Sequence, residues 1–204
     1  YTSIDGKIDG NWMDLPSCKI SGEYYDDILF QLGNANSNGS NTVVMYAAKG
    51  HPDLSKYQTD GIEYEDWIPE GIKSKTWYIS YDRRGRAGWE TNYFEYSGKK
   101  SHAIEVITKL ASKEYMSFLR KMEIPYIVCG DNEINFQESL VKVKKYFGID
   151  KVVLTGGSLI NGAFIKAGLV DEISIVIGPC ICGDSSIKGT FDTNHELINQ
   201  HFKI

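Results

Sequence analysis

The sequence lacks an apolar run long enough to cross a lipid bilayer, which takes about 20 residues as a helix. Its longest apolar stretch extends from Ile173 to Cys182 and is interrupted by Pro179. No signal-peptide pattern is visible, and the first residue is Tyr1 rather than methionine. We therefore expect no membrane partner, and we expect any targeting information to lie upstream of this sequence.

An excess of basic residues is also missing. The chain has 22 Lys and Arg against 27 Asp and Glu, a formal net charge of −5, which argues against a nucleic-acid partner. Its 204 residues, 42% of them hydrophobic, fit one globular domain with a real core. Because neither an internal repeat nor a second domain is visible, we predict a single domain over residues 1–204.

Cysteine is scarce, with four residues at Cys18, Cys129, Cys180 and Cys182. The last two form a C-x-C pair on a segment with a strand pattern, which would direct their side chains to opposite faces. This spacing suits a metal poorly, and no second Cys or His pair completes a site. We expect reduced, mostly buried thiols, no metal, and a cytoplasmic location.

Helical and strand patterns alternate along the chain. Helices are predicted over residues 20–31, 43–48, 112–122, 137–147 and 158–167, and strands over residues 76–81, 102–108, 125–129 and 151–154. Asn135 and Glu138 match a helix N-cap and its partner three residues on. The polar residues 50–75 are predicted to form a long loop. This alternation predicts an α/β domain with a largely parallel sheet.

Residues 154–172 read LTGGSLINGAFIKAGLVDE, in which Gly156 and Gly157 separate a predicted strand from a helix that begins at Ser158 and ends before Gly168. Open α/β sheets bind ligands at the carboxyl ends of their strands. Glycines there let a ligand approach the backbone, and the helix N-terminus attracts phosphate. The alternative is a tight turn that needs glycine for geometry alone. Neither the G-x-G-x-x-G nor the P-loop pattern is present.

Five stretches share their order with a known family. They are TSIDGKIDG at 2–10, NGSNT at 38–42, YISYDRRGRAGW at 78–89, HAIEVIT at 102–108, and a closing stretch at 154–184 that contains LTGGSLINGAFIKAGLVDE. Together they resemble the dihydrofolate-reductase-like superfamily, and within it the C-terminal reductase domain of the riboflavin-biosynthesis deaminase/reductase and its stand-alone relatives. The resemblance implies a mixed, mostly parallel sheet flanked by helices.

The resemblance also implies an NADPH-binding reductase. Its cofactor-binding positions fall in three groups, namely Thr155, Gly156, Gly157, Ser158 and Leu159 at the pyrophosphate, Gly39, Ser40 and Thr42 at a second phosphate-binding turn, and Ser80, Arg83 and Arg84 beside the adenosine 2′-phosphate. Many relatives carry arginine where this chain has Ser40. The choice between NADPH and NADH therefore stays open, with Arg83 or Arg84 as the expected replacement.

The opening loop is expected beside the nicotinamide and the substrate, with Ser3 and Lys7 as substrate-binding residues and Asp5 as the catalytic residue. A hydride acceptor gathers negative charge, so a nearby proton donor or cation lowers the barrier. Asp5 could supply or relay a proton, and Lys7 could hold a substrate phosphate. The alternative makes Asp5 part of a turn with Gly6, and Lys7 a solvated side chain.

The pathway-specific hypothesis is reduction of a small-molecule substrate, the phosphoribosylamino-pyrimidine of riboflavin biosynthesis. A second hypothesis is a dihydrofolate- or pterin-type reductase whose carboxylate comes from the first helix, at Asp26 or Asp27. A third is a nucleotide-binding module without turnover. Since reductases of the resembled family are commonly dimeric, a homodimer is expected.

Overall fold

The computed structural model describes residues 1–199 and 201–202. The strands are β1 Ala35–Gly39, β2 Trp77–Tyr81, β3 Tyr93–Tyr96, β4 Lys99–Ile107, β5 Tyr126–Val128 and β6 Val152–Leu154. The α-helices are α1 Pro16–Leu32, α2 Ser40–Thr42, α3 Lys113–Lys121, α4 Phe136–Phe147 and α5 Ser158–Lys166, with a 3₁₀-helix at Asn11–Asp14 and a π-helical turn at Val43–Ala47. Contacts divide the chain into two compact units, Gly33–Leu154 and Tyr1–Leu32 with Thr155–Ile204.

The unit Gly33–Leu154 contains all six strands. They form one sheet in the order β3-β4-β2-β1-β6, and β5 also pairs with β4. Every pair is parallel except β3 with β4, which is antiparallel. The parallel strands β1 and β2 therefore end at the same edge of the sheet, at Gly39 and Tyr81, which are opposite each other in the register. The predicted mixed, mostly parallel sheet is confirmed.

The central strand β2 is buried on both faces, as its uninterrupted apolar pattern favours. On one face Tyr78 joins the main core cluster with residues of α3. On the other face Trp77 and Tyr81 contact α4, with ring centroids 5.0 Å from Phe147 and 5.7 Å from Phe136. Alternate side chains of one strand thus hold helices on both sides of the sheet.

Both main helices of this unit begin at a side-chain cap. The Asn135 side chain accepts the N–H of Glu138 at 3.0 Å, which confirms the N-cap predicted for α4. Ser112 caps α3 in the same way by accepting the N–H of Tyr115 at 3.2 Å. At its C-terminus α4 ends on Gly148, whose φ of 66° lies in the left-handed region that glycine adopts readily.

The second unit consists of α1, the 3₁₀-helix, α5 and long connecting segments. Single bridges pair Thr2 with Ile177 and Lys7 with Gly189. The predicted end of α5 is confirmed: Gly168 has a φ of 66°, and the next residue, Leu169, donates its N–H to Phe164 O at 3.1 Å.

The strand pattern assigned to the C-x-C segment is wrong. Within residues 173–182 only Ile177 forms a bridge to another segment, and Ile175, Ile177 and Ile181 are exposed rather than packed in a sheet. Cys18 and Cys129 are buried, Cys180 and Cys182 are half-buried, and all four are free thiols. Among the described residues, no helix combines the length and the apolarity that a membrane span requires. A single domain over residues 1–204 stays a prediction.

Candidate functional site

The two glycines before α5 differ in backbone conformation. Gly156 has a φ of 107°, in the region that side chains rarely adopt, so its glycine is required by geometry. Gly157 is the N-cap of α5 with φ −73° and ψ −162°, an extended conformation open to any residue. The peptide bond between them is cis. The φ value therefore explains glycine at position 156, whereas φ and ψ alone do not require glycine at position 157.

The first turn of α5 is held by hydrogen bonds to residues 190–192. The carbonyl oxygen of Ser158, itself buried, accepts the N–H of Asp192 at 2.9 Å. Asn161 donates its side-chain N–H to Thr190 O at 2.9 Å. Leu159 is 52% exposed and Thr155 is half-buried. Gly157 has no side chain that could cap α5. The partial positive charge at the start of the helix can therefore attract an anionic group of a ligand.

The opening loop of the same unit is closed by Asp5. Its Oδ1 accepts the Ser3 hydroxyl at 2.6 Å and the Cys182 N–H at 2.9 Å, and its Oδ2 accepts the Gly183 N–H at 2.9 Å. These bonds, the one from Ser3 first, lower the pKa of Asp5 to about 2. Asp5 is thus a carboxylate at neutral pH. Its predicted proton-donor role is disfavoured by this value, since an effective acid has a pKa near the working pH.

The turn interpretation of Asp5 is also observed, because Gly6 has a φ of 77° and donates its N–H to Ser3 O at 3.0 Å. Ser3 is 1% exposed, and its hydroxyl oxygen also accepts the Lys7 N–H at 3.0 Å. The position of Ser3 therefore favours holding the loop over contacting a substrate. Lys7 is half-buried and donates one of its three ammonium hydrogens to Ile187 O at 2.7 Å.

In the unit Gly33–Leu154, an arginine lies at the turn that follows β1. Arg86 donates from Nη2 to Ser40 Oγ at 2.5 Å and to Asn41 Oδ1 at 2.8 Å, and its side chain is 40% exposed. The nearest carboxylate oxygen, Oδ1 of Asp82, is 3.8 Å from Nε. The guanidinium is therefore held mainly by neutral acceptors, and part of it faces outward. Gly39, which caps α2, and Thr42 are half-buried in the same turn.

Residues 82–87, which we call the arginine turn, are fixed by their own backbone contacts. Oδ2 of Asp82 accepts the N–H groups of Arg86 and Ala87, and Asp82 O accepts the Gly85 N–H at 3.1 Å. Gly85 has a φ of 67°, and a Cβ there would overlap the Tyr115 ring. In this conformation Arg86 is the arginine of the turn that reaches Ser40.

The two arginines predicted from the sequence, Arg83 and Arg84, belong to the same turn but make other contacts than Arg86. Arg83 forms an ion pair with Glu133, and Arg84 is exposed. Ser80 is 0% exposed, a position that does not favour a side-chain contact with a cofactor. Sequence reasoning did not single out Arg86 among the arginines of this turn, and Asp82 four residues before it was the available signal, because a short acidic side chain often closes a turn.

The carboxylates proposed for a pterin-type reductase lie on α1. Asp26 is half-buried and Asp27 is exposed. Asp27 accepts the Gln31 side-chain N–H through its backbone oxygen at 3.1 Å. These positions add nothing that singles out either carboxylate as a pterin ligand.

A mostly parallel sheet flanked by helices, with an arginine beyond the carboxyl ends of β1 and β2, defines an open-sheet α/β protein, a class that binds ligands at the carboxyl ends of its strands. The chain belongs to the RibD C-terminal domain family, whose sequence profile matches residues 90–201.

Two curated relatives carry the same name, 2,5-diamino-6-ribosylamino-4(3H)-pyrimidinone 5′-phosphate reductase. The one from Aquifex aeolicus is 29% identical over 89 residues, which cover 44% of this chain and 39% of the relative. The one from Methanothermobacter thermautotrophicus is 29% identical over 86 residues, which cover 42% of this chain and 39% of the relative. The matches thus span about two fifths of each relative's length.

Solved structures of similar fold cover 99% of this chain. RibD from Acinetobacter baumannii, form 1, has a TM-score of 0.59 at 14% identity, and the match spans 50% of that chain. A pyrimidine reductase-like protein from Corynebacterium diphtheriae has a TM-score of 0.53 at 16% identity over 79% of its length. At this level of identity the structures support the fold, and the fold expected from the sequence is confirmed.

Proposed function

We propose that this chain is an NADPH-dependent reductase that transfers a hydride to a ribosylamino-pyrimidine phosphate in riboflavin biosynthesis. Membership in the RibD C-terminal domain family and two relatives named as pyrimidinone phosphate reductases support this reaction class. The structural observation that carries the cofactor assignment is Arg86, which is held by Ser40 and Asn41 beyond the carboxyl ends of β1 and β2.

Arg86 suits the 2′-phosphate that distinguishes NADPH from NADH. A guanidinium presents several N–H groups in one plane and pairs with phosphate in two-point contacts. Because Ser40 and Asn41 are neutral, their contacts with Arg86 orient the guanidinium without cancelling its charge. Arg86 would therefore supply the positive charge that Ser40 lacks, in the role that the sequence assigned to Arg83 or Arg84.

The start of α5 suits the pyrophosphate. Gly157 lacks a side chain although its backbone would accept one, so close approach of a ligand is a sufficient reason for glycine there. Backbone N–H groups and the helix dipole bind phosphate oxygens at such positions. Thr155, Gly156, Ser158 and Leu159 accompany Gly157 in this role.

In the opening loop we assign the substrate phosphate to Lys7, whose ammonium group uses one hydrogen on Ile187 O. Asp5 positions this loop against Cys182 and Gly183. A relay role for Asp5 stays a prediction, as do the substrate contact of Ser3, the homodimer and the cytoplasmic location. A dimeric mass in light scattering at micromolar concentration is the expected result, and a monomeric mass would contradict it.

Arg86→Gln tests the cofactor assignment against Arg84→Gln, which removes an exposed arginine from the same turn. Loss of a charge-assisted contact of about 1.5–3 kcal/mol predicts roughly 10- to 100-fold weaker NADPH binding for Arg86→Gln. NADH binding should change little in either variant. Equal affinity for NADPH in both variants, with melting temperatures unchanged, would exclude Arg86 as the 2′-phosphate ligand.

A nucleotide-binding module without turnover is the remaining alternative. A panel of ribosylamino-pyrimidine phosphates and dihydropterins, each mixed with the protein and NADPH, separates the three hypotheses. Oxidation of NADPH with a pyrimidine substrate alone supports the proposal, oxidation with a dihydropterin supports the second reductase class, and binding without oxidation in any mixture supports the module.

A further inference from the structure

A group of buried polar side chains lies behind the arginine turn. Glu105 of β4 is opposite Ser80 of β2 in the strand register, and Asp82 follows directly after β2. The three residues are 0% exposed. Tyr115 from α3 and Trp89 from the segment after the turn are buried in the same part of the core. Three polar side chains enclosed this completely must satisfy one another or lose hydrogen bonds.

Each carboxyl group of this cluster uses only one oxygen for hydrogen bonds. Oε1 of Glu105 accepts the indole N–H of Trp89 at 2.5 Å. Oδ2 of Asp82 accepts the backbone N–H groups that form the arginine turn. Among the described residues, Oε2 of Glu105, Oδ1 of Asp82 and the hydroxyl oxygen of Ser80 have no hydrogen-bond partner. These two carboxyl oxygens are fully buried, and a proton on one of the carboxyl groups would supply a further hydrogen-bond donor among them.

The charges around the cluster also call for a proton. Asp82 from the end of β2, Tyr115 from α3 and Trp89 face Glu105, and none of these three is a cation. The Arg86 guanidinium lies toward Asp82, 3.8 Å from Oδ1, and is partly exposed. Two ionised carboxylates that are both fully buried would repel each other with little screening by solvent. Burial, followed by the charge of Asp82, raises the pKa of Glu105 well above its ordinary value.

We infer that Glu105 is protonated at neutral pH and that this proton positions the arginine turn for the cofactor. Asp82 accepts two backbone N–H groups and lies 3.8 Å from the Arg86 guanidinium, whereas Glu105 accepts one indole N–H, so we assign the proton to Glu105. Loss of the proton would place a second negative charge against Asp82 and loosen its hold on the turn. Glu105 is a positioning residue that acts through Asp82. The second half of this inference rests on the proposed function.

The proton can be counted without any ligand. Glu105→Gln keeps the size and an acceptor oxygen but does not titrate. Because the folded protein retains a proton that an unfolded glutamate releases above about pH 4.3, the wild type should bind about one proton more on folding than the variant. The extra stability of the wild type is fully present below that pH and is lost as the pH rises through the folded-state pKa of Glu105.

Two further variants show whether a change in proton uptake on folding comes from Glu105. Thr108→Val removes the hydroxyl that donates to Arg83 O at 2.8 Å in the same turn but carries no titrating group. It should lose stability at every pH and keep the wild-type pH dependence. Asp82→Asn removes the neighbouring charge, so Glu105 should release its proton at lower pH. Identical pH dependences of unfolding in the wild type, Glu105→Gln and Asp82→Asn would overturn the inference.

Cofactor affinity tests the link from Glu105 to the arginine turn. The 2′-phosphate itself titrates near pH 6, and this changes the affinity of both proteins alike. Dividing the affinity of the wild type by that of Glu105→Gln at each pH removes this contribution of the ligand. For NADPH this ratio should be near one at low pH and fall by up to about tenfold per pH unit above the folded-state pKa. For NADH, which lacks the 2′-phosphate, it should stay near one.

A flat ratio for NADPH, with the extra proton confirmed, would overturn the positioning role and leave the protonation of Glu105 standing. If neither NADPH nor NADH binds the wild type, the proposed function fails and the positioning role falls with it. The proton count then still decides the first half of the inference, because it uses only the unliganded protein.

Discussion

The start of α5 and the arginine turn are both proposed to bind phosphate, but the first would use backbone groups and the second a side chain. At α5 the attraction comes from backbone N–H groups and a helix dipole, and glycine is needed to keep side chains away. At the arginine turn it comes from one side chain, which Asp82 and Ser40 hold in place. A backbone site can be recognised from residue types at fixed spacing, whereas a side-chain site depends on where a turn directs each residue.

The largest effect is expected from Gly85→Ala, which disturbs the backbone of the arginine turn. The new Cβ would meet the Tyr115 ring at a φ of 67°, and we expect a loss of about 2–4 kcal/mol in unfolding free energy. Gly98→Ala is the matched control, since its φ of 71° carries the same backbone strain with open space around the Cβ. Equal losses in chemical denaturation of the two variants would contradict the close packing on Tyr115.

The second-largest effect is expected at the start of α5, where a side chain should block the phosphate. Gly157→Val should bind NADPH more than tenfold more weakly, by about 1.4 kcal/mol or more, and its melting without ligand is measured alongside to show that the fold survives. The thermal shift on adding NADPH measures this loss. Gly156→Ala provides the contrast, since a φ of 107° should cost stability before any ligand is added. A full NADPH shift in Gly157→Val would make the glycine pair a turn and nothing more.

The smallest effect concerns the opening loop, which shares a unit with α5 but binds no cofactor phosphate in this account. Because the folded-state pKa of Asp5 is about 2, below that of a free aspartate, its contribution to stability is present above about pH 4 and is lost as the pH falls toward 2. Asp5→Asn should therefore be less stable than the wild type at neutral pH. The difference in urea midpoints should shrink between pH 4 and pH 3, and a constant difference would argue against the hydrogen bonds to Asp5.

The elements with strong hydrophobic periodicity could be predicted from the sequence. Helices α3 and α4 and strands β2, β4 and β5 lie where their patterns place them, within a few residues, and α5 lies where the glycines on either side of it place it. In these segments burial and local propensity favour the same structure, which is the condition under which sequence patterns are informative.

Strand β1, with the sequence ANSNG, could not be predicted in this way. Asn, Ser and Gly have low strand propensity, and a buried run of them gives no apolar signal. Two of its polar side chains make hydrogen bonds with distant residues: Tyr78 Oη donates to Asn38 Oδ1 at 2.9 Å, and Ser37 Oγ donates to Val153 O at 3.3 Å. Those partners are distant in the chain, so the sequence around β1 does not reveal them.

Strand β3 was missed although the chain contains a local signal for it. Ser97 and Gly98 have φ values of 48° and 71° and form the two-residue connection between β3 and β4. Positive φ at both positions is typical of a hairpin turn, and glycine at the second position favours it. Arg86 is a harder case, since three arginines within four positions are equivalent until the contacts of Asp82 and Gly85 fix the turn.

Hydride transfer itself tests the central claim most directly. The protein is mixed with ribosylamino-pyrimidinone phosphate and NADPH that carries deuterium at both C4 positions, and the reduced product is analysed by mass spectrometry. From the proposed hydride transfer we expect one deuterium in the product and loss of the NADPH absorbance in equal amount, with much less of both when Arg86→Gln is used at the same cofactor concentration. Tight NADPH binding with no deuterium transferred to the pyrimidine would contradict it.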